Sequence, residues 1–157
     1  MSMQMHLPLI MTMPNDITVQ TWIKLARAFG KAMSDIEQAL QDNELPPLSW
    51  YDVLLELERV KGKGMRQFEL ETALLLKQYS VSRLVEKIEK DGCLQRVASK
   101  EDGRGKRLHI TDKGRALRQK MWLIYGPKIE DTVGQKLSQT QCQELGMLLG
   151  KLSNSPS

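Results

Sequence analysis

The side chains best suited to contact phosphates and base edges are concentrated between Lys77 and Gly114. Arg83 has the functional group to pair bidentately with a guanine edge, and Gln78 the group to pair with adenine. Eleven Lys and Arg stand against six Asp and Glu between Lys77 and Arg115, whereas the remaining residues carry twelve against thirteen. The positive excess of the chain, +4 in total, therefore lies in this stretch. Such a local excess is the electrostatic footprint expected of a nucleic-acid-binding surface.

The sequence contains no motif that predicts a catalytic or metal site. It has no G-x-S-x-G and no H-E-x-x-H. His6 and His109 lack a metal-ligand spacing, and Cys93 and Cys142 form neither a metal nor a disulfide pattern. The glycines of residues 102–105 resemble a nucleotide loop only weakly, because no apolar strand precedes them and no helix starts there. We therefore expect no enzyme activity, no metal and no cofactor.

The stretch that follows Lys77 predicts an amphipathic helix that ends near Asp91-Gly92. Val81, Leu84, Val85 and Ile88 recur at the spacing of one apolar stripe. At about 100° per residue, the face opposite this stripe is polar. That face and its flanks carry Tyr79, Ser82, Arg83, Glu86, Lys87 and Lys90.

A hairpin follows this helix. Gly92 supplies the left-handed stop, residues 94–98 and 107–110 read as strands, and residues 99–105 hold the Asp-Gly and Gly signals of a turn. Thr111 is a natural N-cap for the next helix. This order predicts a winged helix-turn-helix, whose recognition helix enters the major groove of DNA while the hairpin, or wing, contacts the flanking backbone or minor groove. The expected fold class is mainly α with a small β-hairpin wing, together with N- and C-terminal dimerisation helices.

Four short motifs in this region keep the spacing found in MarR-type transcriptional regulators. They are Arg83-Leu84-Val85, Gly92-Cys93-Leu94-Gln95-Arg96, Asp102-Gly103-Arg104 and Ile110-Thr111-Asp112-Lys113-Gly114. Residues 76–117 resemble the core of that family, and weaker similarity in helix lengths and order extends over nearly the whole chain. The resemblance implies a homodimeric winged-helix repressor or activator on double-stranded DNA, often released by a small aromatic or phenolic ligand or by cysteine oxidation.

The expected DNA contacts divide by the part of the duplex they reach. Base-edge candidates are Gln78, Tyr79, Ser80, Ser82 and Arg83, and phosphate candidates are Lys77, Lys87, Arg96 and Lys106. Arg104 at the wing tip suits a narrow minor groove, and Asp102 would brace the turn. Lys77 stands where a capping Ser is common in the family, so the recognition helix has a second possible start with Ser80 as its N-cap.

Helices are expected on both sides of this region. The first should run from Asp16 to Asp42, with a narrow apolar seam that fits either the core or a dimer contact. Ser49 should cap the second helix, and the third should cover about Gln67 to Leu74. Gly126-Pro127 should kink or interrupt the fifth helix, and Ser138 should cap the last one.

The length of 157 residues indicates one domain or one protomer of an intimate dimer. We expect a flexible arm over residues 1–15, a dimerisation helix over 16–45, the winged helix-turn-helix over 48–110, C-terminal dimerisation helices over 111–152 and a tail over 153–157. The resemblance also implies an effector pocket, for which Phe29, Trp50 and Tyr51 are candidates. Ordinary core packing is the alternative for these three side chains.

Two other functions stay open at this point. A winged helix can bind protein instead of DNA, although the basic face of residues 83–90 favours DNA. Cys93 follows the recognition helix directly and could make the regulator redox-sensitive, against the simpler interpretation of an inert core cysteine. No apolar run approaches the ~20 residues of a membrane span, and the N-terminus lacks the features of a signal peptide. We therefore expect a cytoplasmic protein without membrane contact.

Overall fold

A computed structural model of the chain describes residues 12–75, 80–99 and 105–153. Within these ranges the chain is mostly helical with one two-stranded antiparallel sheet, which confirms the expected fold class. The elements are α1 (Asp16–Asp42), α2 (Leu48–Arg59), α3 (Gln67–Ala73), α4 (Val81–Lys90), β1 (Leu94–Ala98), β2 (Lys106–Ile110), α5 (Asp112–Ile129), a π-helical segment (Glu130–Gly134) and α6 (Gln139–Ser153).

The chain divides between Met33 and Ser34, inside α1, into two compact units. The segment boundaries expected from the sequence stay predictions. In the first unit, α1 begins after Asn15, whose Oδ1 accepts the Thr18 N–H at 2.8 Å. Its apolar side chains are largely exposed, with Trp22 at 67% and Phe29 at 54%.

The core of the second unit joins α2, α3, α4 and the hairpin. It buries the apolar stripe of α4, so the amphipathic pattern predicts the inward face correctly. The principal members are Val53, Leu54, Leu57, Leu70, Leu74, Leu84, Val85, Ile88, Cys93, Leu94, Leu108 and Ile110. Each large apolar side chain buried here contributes about 1.5–3 kcal/mol relative to exposure.

The hairpin is attached to the core along one side. Leu94 pairs with Ile110 and Ala98 with Lys106 in the antiparallel register. Met65 adds a single bridging residue beside β2, because its N–H donates to the Leu108 carbonyl at 3.0 Å and its carbonyl accepts the Leu108 N–H at 2.7 Å. The base of the wing is therefore attached to the loop before α3 by a single-residue bridge.

The junction between the hairpin and α5 is closely packed. Thr111 caps α5 as expected: its Oγ1 accepts the Gly114 N–H at 3.1 Å and donates to the Gly92 carbonyl at 2.6 Å. Gly114 has no room for a side chain, since a Cβ there would lie 2.0 Å from the Cys93 carbonyl oxygen. The Thr-x-x-Gly spacing thus reflects a cap and a close approach between two backbones.

One expectation about a helix boundary is wrong, and a second is wrong in that an expected interruption does not occur. Ser49 does not cap α2; the helix already begins at Leu48, after Pro47, and the Glu37 carboxylate accepts the Leu48 N–H at 3.2 Å. The Glu37 side chain, eleven residues before Leu48 in the sequence, thus accepts a hydrogen bond at the helix start where a local cap was expected. Pro127 does not interrupt α5, which continues to Ile129 before the π-helical segment.

The α5 helix continues past Pro127, and its backbone hydrogen bonds resume directly beyond that residue. The Glu130 N–H donates to both the Gly126 and Pro127 carbonyls, and the Gln135 N–H then reaches back five residues to the Glu130 carbonyl. The irregular hydrogen bonding therefore appears a few residues beyond the proline. The final helix, α6, is capped as expected, since Ser138 Oγ accepts the Gln141 N–H at 3.2 Å.

Thr111→Ala should lower the free energy of unfolding by about 1–2 kcal/mol, because α5 loses its cap and the Gly92 carbonyl loses a donor. Thr111→Ser keeps the hydroxyl and should recover most of this loss. Urea denaturation followed by circular dichroism, at one fixed protein concentration, measures both variants. Equal losses in the two variants would show that the threonine methyl group, and not the cap, carries the stability.

Candidate nucleic-acid interface

The recognition helix is α4, and it begins at Val81. Ser80 is its N-cap, with Oγ accepting the Arg83 N–H at 3.5 Å, so the later of the two possible starts is correct. Leu84, Val85 and Ile88 are buried. The opposite face is exposed and presents the side chains Ser82, Arg83, Glu86, Lys87 and Lys90.

Two serines of this helix already have structural hydrogen bonds. Ser80 caps the helix, and Ser82 Oγ accepts a hydrogen bond from Gln67 Nε2 at 2.7 Å, which ties α4 to α3. Arg83 and Lys87 have long cationic side chains on the exposed face. They therefore have the reach that base edges and phosphates require.

The wing places its two described cationic candidates on one face of the hairpin. Alternate residues of β1 share that face, so Arg96 lies with Lys106, the partner of Ala98. Lys106 is exposed, whereas Arg96 Nε lies 3.2 Å from Glu89 Oε2 on α4. Arg96 thus connects the wing to the recognition helix. Because its side chain is partly exposed, the guanidinium group still lies at the surface that is expected to face DNA.

A second connection on the opposite face of the hairpin was not anticipated from the sequence. Arg107 Nη1 donates to the Gly64 carbonyl at 3.2 Å and lies 3.8 Å from Glu69 Oε2. Gly64 has a φ of +69°, and a Cβ added there would lie 2.4 Å from His109 Nε2. Gly64 and Arg107 are 43 positions apart in the sequence, so only the folded chain reveals this contact.

Five predicted DNA-contacting residues lie outside the described residues. These are Lys77, Gln78, Tyr79, Asp102 and Arg104. Their roles stay predictions. The described part of the site therefore consists of Ser80, Ser82, Arg83 and Lys87 on α4, with Arg96 and Lys106 on the wing.

Cys93 is fully buried behind the recognition helix. Burial raises the pKa of its thiol to about 11, and the hydrogen bond that Sγ donates to Asp91 Oδ2 at 3.3 Å adds to the shift. Oxidation and metal binding proceed through the thiolate, and a high pKa suppresses that form near neutral pH. The environment of Cys93 is therefore that of a core residue.

A cavity of about 330 Å³ lies between α2 and α5. Its walls include Tyr51, Asp52, Leu75, Trp122, Tyr125 and Ile129. Of the predicted effector-pocket residues, Tyr51 lines this cavity, whereas Trp50 packs against the hydrophobic core, and Phe29 is an exposed residue of the first unit. Trp122 and Tyr125 were not predicted as pocket residues. Their i, i+3 spacing in the sequence does indicate that the two side chains share one face of a helix.

Comparison with known proteins agrees with this geometry. A model of the MarR family matches residues 45–105. YkoM of Bacillus subtilis, described as an HTH-type transcriptional regulator, is 28% identical over 141 residues, which span 87% of this chain and 89% of YkoM.

Solved structures show the same fold. Sco3205, a MarR family transcriptional regulator from Streptomyces coelicolor in complex with DNA, matches with a TM-score of 0.80 at 21% identity, covering 93% of each chain. BpsR of Bordetella bronchiseptica, whose DNA binding is regulated by 6-hydroxynicotinic acid, matches with a TM-score of 0.76 at 23% identity, covering 92% of this chain and 100% of BpsR.

The fold and the exposed basic face of α4 are those of a winged helix-turn-helix, and the proteins that the chain matches are transcriptional regulators. Residues 45–105 match the MarR family, and the rest of the chain is similar to members of that family in its fold. Among the described residues, none of the helices has the length and hydropathy needed to cross a membrane.

Gly64→Ala tests the packing of the wing base. The added Cβ would strain a left-handed backbone and collide with His109, so we expect a loss of about 2–4 kcal/mol in the free energy of unfolding. Gly62→Ala is the matched control, because Gly62 also has a positive φ, of +83°, but no atom within 4 Å of its Cβ position.

The difference between the two glycine variants isolates the collision from the backbone strain. Adding His109→Ala to Gly64→Ala should return the stability to about that of Gly62→Ala, as a double-mutant cycle would measure by urea denaturation. If Gly64→Ala is no worse than Gly62→Ala, the contact with His109 does not constrain the wing.

Proposed function

We propose that this MarR-family regulator is a repressor that binds a pseudo-palindromic operator in cytoplasmic double-stranded DNA as a homodimer. The observation that carries the proposal is the exposed basic face of α4 beside a wing that bears Lys106 and Arg96. Arg83 would read a guanine edge in the major groove, and Lys87 and Lys106 would hold phosphates. Lys77, Gln78, Tyr79 and Arg104 would extend these contacts, with Asp102 bracing the wing turn.

The DNA contacts require two copies of α4 at a fixed separation. Dimeric helix-turn-helix proteins bind half-sites about 34–36 Å apart, which is one turn of DNA. The complex formed by Sco3205 supports DNA binding by this fold. If about four cations per protomer neutralise phosphates, the logarithm of the binding constant should fall against the logarithm of salt concentration with a slope of about −7.

Exposed apolar side chains support self-association. On α6, Leu148 is 54% exposed and Leu152 66%, and in the first unit Ile17 and Trp22 of α1 are more exposed still. Apolar surfaces of this kind on a water-soluble helix usually mark an interface. A second copy of the chain would cover them, as expected for a regulator with two-fold symmetry.

The cavity between α2 and α5 is the proposed effector site. Leu75, in its wall, immediately precedes residues 76–79, which lead into the recognition helix. A small aromatic ligand that pushes on Leu75 would therefore bias the position of α4. The regulation of BpsR by 6-hydroxynicotinic acid supports control of DNA binding by a small aromatic molecule in this fold.

Release through oxidation of Cys93 is the weaker alternative. The raised pKa and full burial of Cys93 leave little thiolate for a peroxide to attack. We therefore expect DNA binding to be equally sensitive to peroxide in the wild type and in Cys93→Ser. A winged-helix module for protein binding would not need the cationic side chains that α4 exposes.

Arg83→Ala should weaken binding to the operator by about tenfold or more at constant salt, because each protomer loses a base contact. Combining it with Arg104→Ala should abolish detectable binding while the fold survives. Lys87→Ala should instead reduce the salt slope by about 2, since the two protomers each lose one phosphate contact.

Fluorescence anisotropy on DNA from upstream of the protein's own coding region, titrated at several salt concentrations, measures both effects. Lys120→Ala on α5 removes the same charge from an exposed position away from α4 and serves as the control. A wild-type slope near −2, or equal effects of Arg83→Ala and Lys120→Ala, would contradict the proposed contacts.

The wild-type protein should sediment as a dimer at micromolar concentration. Leu148→Asp combined with Leu152→Asp should shift it toward monomer by roughly thirtyfold or more in the dissociation constant, because charges would be buried in an apolar contact. Val97→Asp, at an exposed apolar residue of the wing, should leave the dimer intact. A monomeric wild type, or equal dissociation by the α6 and wing variants, would refute the proposed interface.

A further inference from the structure

A hydrogen bond between Gln67 and Ser82 joins the two helices of the helix-turn-helix near their N-terminal ends. Gln67 is the first residue of α3, and Ser82 is the second residue of α4. Gln67 Nε2 donates to Ser82 Oγ at 2.7 Å, at the short end of the range for such a bond. Gln67 is partly buried and Ser82 is exposed, so a ligand can still reach the serine hydroxyl from solvent.

The position of Gln67 is fixed by the packing of α3. In the first turn of that helix, the Glu69 carboxylate accepts the Arg66 N–H at 2.8 Å. Leu70 on α3 and Val85 on α4 are fully buried in the same core. The starts of the two helices are therefore held at a fixed separation, and the amide group of Gln67 approaches α4 from one direction.

This hydrogen bond determines which groups Ser82 has left to offer. A serine hydroxyl has one hydrogen to donate and two lone pairs with which to accept. Gln67 occupies one lone pair, and because α4 begins at Val81, Ser82 has no carbonyl of its own helix four residues earlier to take the hydrogen. Accepting a hydrogen bond also polarises the hydroxyl and makes it a stronger donor. The hydrogen of Ser82 therefore points away from Gln67 and is available to an acceptor.

The place of Ser82 in the helix suits an acceptor on a base. It lies in the first turn of α4, and the N-terminal residues of a recognition helix are those that reach base edges. The backbone N–H groups at a helix N-terminus carry partial positive charge and attract acceptors. Arg83, the next residue, has only donors to offer, which also favours an acceptor on the DNA.

We propose that Gln67 is a specificity-determining residue, because it fixes Ser82 as a hydrogen-bond donor to the N7 atom of a purine in the major groove. The inference rests on the proposed DNA-binding function and adds a residue to it. Adenine and guanine both present N7 as an acceptor in the major groove, whereas cytosine presents an amino donor. A serine that rotates freely accepts as readily as it donates, so it discriminates little between these edges. The amide group of Gln67 removes that ambiguity.

The test compares the affinities of the full-length protein for DNA duplexes that differ in one atom. An operator is selected from random DNA, and each purine is replaced in turn by its 7-deaza analogue, in which a carbon replaces N7. At the purine that Ser82 contacts, the wild type should lose about threefold in affinity for one half-site and about tenfold for both. Ser82→Ala should bind the normal and 7-deaza duplexes equally at that position. Purines whose effect disappears only in Arg83→Ala are the internal control.

Two substitutions of Gln67 separate the orientation of Ser82 from a structural link between α3 and α4. Gln67→Met keeps the length of the side chain but cannot donate, so the 7-deaza effect should fall from about tenfold to about threefold. Gln67→Glu would accept the hydrogen of Ser82. The 7-deaza effect should then vanish, and a base with an amino donor should become preferred at this position. Because each result is a ratio of two affinities, the repulsion of DNA by the added charge cancels, and so does any loss of folded protein.

The outcomes separate this inference from the proposed function. A 7-deaza effect that persists unchanged in Gln67→Met would show that the hydrogen bond only links α3 to α4, and would overturn the inference. The inference is also wrong if no purine depends on Ser82, or if the Gln67 variants weaken binding to all DNA sequences equally. A wild type that selects no DNA sequence at all refutes the proposed function itself.

Discussion

The recognition helix presents its basic face because its opposite face is held in the core. Leu84, Val85 and Ile88 are buried against α2, α3 and the hairpin. Burying three such side chains contributes roughly 5–9 kcal/mol, whereas rotating α4 to expose them would also bury Arg83 at a cost of several kcal/mol. The orientation of the cationic surface is therefore a consequence of apolar packing, and the charges themselves need contribute little to stability.

Short polar contacts then set the angles between the elements that would meet DNA. Gln67 and Ser82 join α3 to α4, Glu89 and Arg96 join α4 to β1, and Arg107 joins β2 to the Gly64 carbonyl. Each contact is worth only about 0.5–1.5 kcal/mol net. These contacts connect different pairs of elements, so together they limit the wing to one position relative to α4. A protein that contacts DNA with both its recognition helix and its wing needs this fixed position.

In the proposed regulation, the cavity beside Leu75 would connect a small molecule with the recognition helix. Its aromatic wall belongs to α2 and α5, while Leu75 belongs to the segment that approaches α4. A ligand changes the population of a conformation only to the extent that it binds one state better than the other. A ligand in contact with both the aromatic wall and Leu75 would provide that difference.

Local signals allowed much of this architecture to be predicted. The apolar stripe of α4, the glycines and strands of the hairpin, and the caps Thr111 and Ser138 act within a few residues, so their patterns survive in the sequence. Ser80 as the cap of α4 belongs to this class, and so do the four motifs that carry the family resemblance. The predictions failed where a distant group replaced a local one, as at the start of α2, where Glu37 accepts the Leu48 N–H.

By itself, the sequence determined the order of the elements, the face of α4 that is buried and the resemblance to the MarR family. Only the tertiary structure decided which distant residues meet: Arg107 with Gly64, and Tyr51 and Asp52 with Trp122 and Tyr125. The physical reason is that periodicity and capping depend on neighbours along the chain. A cavity or a cross-element contact depends instead on packing distances between helices, which no short stretch of sequence encodes.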